Sequence, residues 1–263
     1  MSTILDTIAD YARLRVAKDK ETVSAEAMKA LAFQGEKARG EAFYGAVARP
    51  GMSFICEVKK ASPSKGVIDP EFDYLSVAGT YEDAGADAVS CLTEPKWFLG
   101  SDDIFRDIRR RIKTPMLRKD FTVDEYQLYQ AKVLGADCVL LICALLDTET
   151  LGKYLGICED LGLAALTEAH DEGEIASAAA AGARMIGVNN RNLRDFSVDL
   201  TNAARLRERI PPGCLYVAES GVRTPADAAA MKAIGADAIL MGEALMRSGD
   251  KKAALDAMRE ATA

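Results

Sequence analysis

The chain has little of what several catalytic classes require. It carries one histidine, His170, in 263 residues. Neither a histidine-based metal centre nor a Ser-His-Asp triad is therefore expected. Its six cysteines, Cys56, Cys91, Cys138, Cys143, Cys158 and Cys214, include no CxxC pair and lie mostly in apolar runs. They read as reduced, buried thiols, which suits a reducing cytoplasmic compartment. No GxGxxG follows an apolar run, which weighs against a dinucleotide-binding open sheet. Positive charge is in deficit as well: 33 basic against 40 acidic residues leave −7. Nucleic acid is therefore not an expected partner, because phosphate contacts need a net basic face. A small anion in a locally basic pocket stays compatible with that balance. The opening "MSTILDTIADYARLR" has charges every few residues. It reads as neither a secretory signal nor a membrane span.

What the chain has in quantity is one repeated junction. "AGADAVSCL" from Ala84, "LGADCVLLI" from Leu134, "AGARMIGVN" from Ala181 and "IGADAILMG" from Ile234 share a form. Each has a helix-ending glycine, a short polar step and a β-rich apolar run, as where a helix stops and a buried parallel strand begins. The runs Ser53–Val58, Pro115–Arg118, Leu163–Thr167 and Cys214–Ala218 complete a set of strands starting near 53, 87, 114, 137, 163, 184, 214 and 237. Helical patterns such as "DDIFRDIRRRI" and "PADAAAMKAIG" lie between them. With 49% hydrophobic residues to fill a core, this alternation predicts a (β/α)8 TIM barrel over 50–263. Residues 1–45 hold helical patterns over Thr3–Val16 and Ser24–Glu36, with Ile4, Ile8, Tyr11 and Leu14 near one face. They read as a helical extension capping the barrel within a single domain.

In such a barrel the chemistry sits at the C-terminal ends of the strands. The stretch "FICEVKKASPSKG" starts as a core strand and then delivers Glu57 and Lys59. Period-two alternation puts both on the barrel interior and turns Val58, Lys60 and Cys56 the other way. Lys60 reads as solvated, and Ser62, Pro63, Ser64 and Gly66 as a loop over the mouth. The other ends bring Lys119, Glu168, Asn189, Arg191, Glu219 and, on the last strand, Gly242 and Glu243. Convergence of so many ionisable groups suits acid–base chemistry on an anionic substrate better than a stability network. Ser220, Gly221 and Gly242 open into helices after the last two strands, where barrels hold phosphate on backbone N–H groups, and Lys59 can reach it from the side. Phe98, Phe121, Leu140 and Leu193, with Trp97 beside Phe98, suit the walls of a slot for a flat ring. His170 reads as a rim or surface histidine.

In order along the chain, "CEVKKASPSKG", "LTEPKWFLGS", "LRKDFTVDEYQ", "GADCVLLI", "LTEAHDEGE", "IGVNNRNLRDFSVDL", "AESGV" and "LMGEALM" resemble the indole-3-glycerol phosphate synthase family. Only Trp97 and Thr167 depart from the expected pattern. The resemblance implies ring closure of 1-(2-carboxyphenylamino)-1-deoxyribulose 5-phosphate with loss of CO2 and water, in tryptophan biosynthesis. It implies no cofactor and no metal. Lys119 is then the general acid for ring closure, and Lys59, Glu57 and Glu168 are candidates for the dehydration. Asn189 and Arg191 hold polar groups of the substrate, and Glu219 sets the position and charge of a lysine. Lys59, Ser220, Gly221, Gly242 and Glu243 match a phosphate site, and Phe98, Phe121, Leu140 and Leu193 match the anthranilate pocket. The expected partner is a small phosphorylated molecule, and the expected assembly a monomer or weak homo-oligomer. A sugar-phosphate isomerase on the same barrel and a non-catalytic phosphate-binding barrel are the rival readings. Cys56, turned away from the interior, weakens the first, and the ionisable set weakens the second.

Overall fold

The computed structural model describes residues 3–192 and 196–263. Its centre is a closed, all-parallel eight-stranded barrel. The strands are β1 (Ser53–Val58), β2 (Ala88–Leu92), β3 (Met116–Lys119), β4 (Cys138–Ile142), β5 (Ala164–Ala169), β6 (Met185–Asn189), β7 (Leu215–Glu219) and β8 (Ala238–Met241). Each pairs with its neighbours in chain order, and β1 closes the ring against β8. Helices between the strands bury apolar faces against the outside of the sheet. Starts fall within two residues of the sequence expectation, but three strands run further than expected. Lys119, Glu168 and Glu219 are paired strand residues, not the start of loops. A side chain on a paired strand is aimed by the pleat, so these three are held more firmly than loop residues.

Strand parity divides the molecule into two cores. Phe54, Cys56 and Val58 belong to the shell between sheet and helices, with Tyr81, Phe105 and Ile108. Ile55, Leu117, Leu140, Leu166, Val217 and Leu240 fill the barrel interior. Burial raises the Cys56 thiol far above its ordinary value, so it is inert as a base.

The N-terminal segment makes three helices: α1 (Ile4–Thr22), α2 (Ala25–Phe33) and α3 (Gly40–Val47). Thr3 and Asp6 form a capping box at the start of α1, which satisfies the free backbone N–H groups there. The buried stripe of α1 is Leu5, Ile8, Ala9, Ala12 and Val16; Leu14, expected on that face, is exposed. The error is one of phase: the small alanines, not the large Leu14, face the barrel.

The extension caps both ends of the barrel. Ile4, Leu5 and Ile8 line the cavity at the C-terminal mouth. The third helix, not expected from the sequence, inserts Phe43, Tyr44 and Val47 into the interior core at the other end. Gly40 lets it approach, since a Cβ there would lie 2.3 Å from Ala164 N. The Tyr44 hydroxyl accepts from Ala165 N at 3.1 Å. Among the described residues no helix is long and apolar enough to cross a membrane.

Candidate active site

The C-terminal ends of the strands surround a cavity that contains the ionisable groups expected from the sequence. Glu57, Lys59, Lys119, Glu168, Asn189, Arg191 and Glu219 all line it, as do Ser220, Gly221, Gly242, Glu243, Phe98, Phe121 and Leu140. Leu193 lies outside the described residues.

Two ion-paired lysines define the chemistry. Lys119 Nζ lies 3.0 Å from Glu219 Oε2 and 3.3 Å from Glu168 Oε2. Lys59 Nζ lies 2.6 Å from Glu57 Oε1. Burial alone drives a lysine toward its neutral form, but the carboxylates of Glu219, Glu168 and Glu57 outweigh it and raise Lys119. This lysine is a fixed cation. Burial pushes Glu57 and Glu168 up, yet the facing ammonium groups win and hold both below the ordinary carboxylate range.

Glu219 goes the other way. Burial, with the negative charge of Glu168 opposing the pull of Lys119, pushes it up to about 7. Three carboxylates face two ammonium groups, and the excess negative charge is relieved where solvation is poorest. Glu219 Oε1 has no hydrogen-bond partner among the described residues. Gly187 makes room for it: a Cβ there would lie 2.1 Å from Glu219 Oε1. A glycine at an interior strand position is the signal for such a close approach, and it went unused in the sequence.

Asn189 ends β6, and its Oδ1 accepts from Arg191 N at 3.0 Å. Arg191 Nη1 donates to Phe196 O at 3.2 Å. The floor of the mouth between β7 and β8 is shaped by backbone. Ser220 and Gly221 both have positive φ, 64° and 92°. For serine that conformation is sparsely populated, and strain of this kind concentrates at functional sites. Gly242 is the N-cap of the short helix Glu243–Arg247. A Cβ on it would sit 2.7 Å from Glu57 Oε1 and 3.1 Å from Lys59 Nζ. The Lys59 ammonium thus lies over this backbone. The Glu243 carboxylate pairs with Arg247 at 3.3 Å.

Several supporting residues were not expected. Asp120, next to Lys119, is gripped by Arg15 of α1 at 2.7 Å and 3.2 Å and by Thr93 Oγ1 at 2.7 Å. This bidentate pair ties the N-terminal helix to the strand that carries Lys119. Burial raises Asp120, but Arg15 and Arg118 outweigh it and hold the carboxyl low. Buried Glu94 accepts from the N–H groups of Lys96, Trp97 and Phe98 at 2.9, 2.7 and 3.0 Å, folding the loop that presents Phe98. Phe98 packs on Phe121 with ring centroids 6.0 Å apart. Trp97 does not join this wall; it meets Tyr11 of α1 edge to face at 5.5 Å. Ser62 and Gly66 pair in a two-residue hairpin, and Ser62, Pro63 and Ser64 line the mouth as the loop reading requires. Lys60 lies over the Phe72 ring, 5.9 Å from its centroid. His170 is not a free surface histidine: Nδ1 lies 3.0 Å from Glu174 Oε2 and Nε2 3.4 Å from Glu168 Oε1. Among the described residues no group of three metal-ligating side chains is placed to hold an ion.

A family model described as indole-3-glycerol phosphate synthase matches residues 5–258. The chain belongs to the indole-3-glycerol phosphate synthase family. Its similarity to curated members extends end to end. It is 53% identical to the indole-3-glycerol phosphate synthase of Ruminiclostridium cellulolyticum, covering 97% of this chain and 98% of that one. It is 47% identical to that of Endomicrobium trichonymphae, over 94% and 96%. Among solved structures, a 3-hexulose-6-phosphate synthase superposes with a TM-score of 0.66 at 17% identity, over 81% of this chain and all of that one. That likeness is one of fold alone.

Proposed function

We propose that the barrel closes an indole ring, converting 1-(2-carboxyphenylamino)-1-deoxyribulose 5-phosphate to indole-3-glycerol phosphate, CO2 and water. The observation that carries this reading is the Lys119 ammonium, held by Glu168 and Glu219 at the mouth of the barrel. When the ring carbon bearing the carboxylate attacks the sugar ketone, negative charge develops on the ketone oxygen. A cation already fixed in a dry site stabilises that charge without reorganising. Lys119 then donates the proton. The carboxylate leaves as CO2, restoring the aromatic ring. A pocket that strips water from the carboxylate favours that loss.

Dehydration follows. It needs a proton on the new hydroxyl and removal of one from the adjacent sugar carbon. Lys59 and Glu57, 2.6 Å apart, are the acid and base for this step. Asn189 and Arg191 hold the substrate's polar groups. The phosphate rests on the backbone of Ser220, Gly221, Gly242 and Glu243 under the Lys59 ammonium, and the anthranilate ring lies against Phe98, Phe121 and Leu140. The N-terminal helices and the barrel act as one catalytic unit, because α1 supplies part of the cavity wall.

The test is indole fluorescence on mixing the protein with this substrate without added metal, beside Lys119→Ala. Emission that rises with the parent and is lost in the variant, with substrate binding retained, supports the reading. A Lys119→Ala variant that turns over normally sinks it. Binding without turnover by the parent favours a barrel that only holds a phosphorylated ligand.

A further inference from the structure

This inference rests on the reaction proposed above and concerns its proton balance. Ring closure puts one proton on the ketone oxygen. Loss of that oxygen as water takes a second. One proton comes back from the sugar carbon that joins the indole double bond, and the carboxylate, leaving as CO2, returns none. Each turnover therefore consumes one proton, which comes from solvent. The ring-closure acid and its two partners are almost dry: the side chains of Lys119, Glu168 and Glu219 are 13%, 5% and 2% exposed. A path for protons is needed that does not run through the bound substrate.

The structure holds one group suited to it that the mechanism does not use. His170 follows β5 directly, two residues after Glu168. Its Nδ1 meets Glu174 Oε2 at 3.0 Å, and the same carboxylate oxygen accepts from His170 N at 2.8 Å, which sets the resting orientation of the ring. Its Nε2 is buried, makes no hydrogen bond among the described residues, and points at Glu168 Oε1 from 3.4 Å. Glu168 lines the main cavity. His170 instead lines an adjoining polar cavity, with Glu174, Asp171, Asn190 and Asn202; Leu5, Asn189 and Arg191 border both.

We propose that His170 is the proton relay of this site, taking a proton at Nδ1 from the side cavity by way of Glu174 and delivering one from Nε2 to Glu168, which reprotonates Lys119. An O–H bond breaks at Glu174 as N–H forms at Nδ1, and N–H breaks at Nε2 as O–H forms on Glu168. Glu168 then passes the proton to Lys119 Nζ, 3.3 Å away. A half-turn of the ring resets the tautomer. The sequence of events is self-gating. While Lys119 is charged it holds Glu168 in the ionised form. Once Lys119 has given up its proton, that hold is gone and Glu168 becomes a ready acceptor.

The surroundings favour a protonated ring. Glu168 faces it from β5, Glu219 from β7, and Asp171 and Glu174 from the start of the helix that follows. Across the side cavity stand Asp6 of α1, Asp199, Arg205 and Arg191. Burial lowers the imidazole's basicity, but the Glu174 hydrogen bond and the charge of Glu168 outweigh it, and the pKa is raised.

The experiment is steady-state turnover of His170→Gln and Glu174→Gln from about pH 6 to about pH 9, with and without added imidazole. Gln keeps a hydrogen-bonding amide at either position but carries no proton across. For His170→Gln, kcat should fall roughly tenfold or more at alkaline pH, with KM within about twofold, and the deficit should shrink toward acid pH. Imidazole should restore part of the rate. Glu174→Gln, which leaves the ring in place, should lose rate with the same pH trend. A profile unchanged from the parent in either variant overturns the relay. So does a deficit that is equal at every pH and deaf to imidazole, which would mean that His170 only positions Glu168. Absence of indole formation by the parent counts against the proposed function instead.

Discussion

Replacing Lys119 by Met should reverse the way stability responds to pH. Met fills the volume of the lysine stem, so packing is nearly conserved and charge is what changes. In the parent, Glu168 is held below its ordinary value of 4.5, chiefly because Lys119 overcomes the effect of burial. A depressed carboxyl contributes stability that is present above the unfolded value and lost as pH falls through the folded one. Without Lys119, Glu168 and Glu219 become two buried carboxyls with no cation between them; Glu168 moves above the ordinary value and Glu219, already up at about 7, is pushed further. A raised carboxyl penalises the fold above the unfolded value, and the penalty is relieved as pH falls. Breaking a buried pair by removing one partner costs ~3–5 kcal/mol, and that is the scale of the penalty expected at alkaline pH. The assay is urea unfolding of parent and variant at several values between about pH 5 and pH 8. The gap between them should be largest at the alkaline end and shrink by about 3 kcal/mol toward the acid end. A gap that does not vary with pH would refute the electrostatic account and leave only a packing defect.

Gly187→Ala should push Glu219 off Lys119, since the new Cβ would lie 2.1 Å from Glu219 Oε1. About 1–3 kcal/mol of destabilisation in urea unfolding, with a drop in kcat, is expected from overpacking at this point. Gly242→Ala should crowd Glu57 and Lys59 over the phosphate seat, and a rise in KM for the phosphorylated substrate checks it. Arg15→Ala leaves Asp120 buried with Arg118 as its remaining cation, 3.7 Å away. Unfolding should show a loss at or below the low end of the ~3–5 kcal/mol range for broken buried pairs, since Arg15 itself is partly exposed. For the thiols, burial pushes Cys214 up to about 11 and Cys143 up to about 12. A thiol-reactive dye at neutral pH should therefore label the native protein slowly and leave turnover intact; rapid labelling of several thiols would contradict this.

The barrel was legible in the sequence because its signals are local and repeated. A helix-ending glycine followed by an apolar run says strand wherever it occurs, and the parity of Glu57 and Lys59 followed from the pleat alone. Lys119, Glu168 and Glu219 were found for the same reason: an ionisable residue at the end of an apolar run is conspicuous. What escaped was what depends on contacts between distant segments. Nothing near Asp120 announces that Arg15, in the first helix, grips it with two hydrogen bonds. The phase of α1 was misjudged because large apolar residues are weighted above alanine. Helix-to-barrel packing here selects Ala9 and Ala12, which permit close approach, and leaves Leu14 in solvent. His170 was taken for a rim residue because one histidine after a strand is unremarkable by itself, and its meaning lies in Glu174, four residues on.

The charge count inside the mouth explains why these distant contacts bear on function. Glu57, Glu168 and Glu219 are ion-paired with Lys59 and Lys119, with His170 beside Glu168, and burial leaves Glu219 to carry a proton near neutral pH. The proposed substrate brings a carboxylate and a phosphate, which add negative charge to a site already rich in it. Binding should therefore draw more proton onto Glu219 and tighten the hold on both lysines. Arg191 lies at the edge of the cavity, where burial lowers its pKa and the charge of Glu243 opposes that shift. With Arg223, which lines the same cavity, it is positioned to offset the substrate's charge. Substrate affinity should then weaken as pH rises through about 7, while the fixed charge on Lys119 does not change. A KM that is flat across this range would mean that Glu219 is ionised throughout, and that the lysines alone accommodate the substrate's charge.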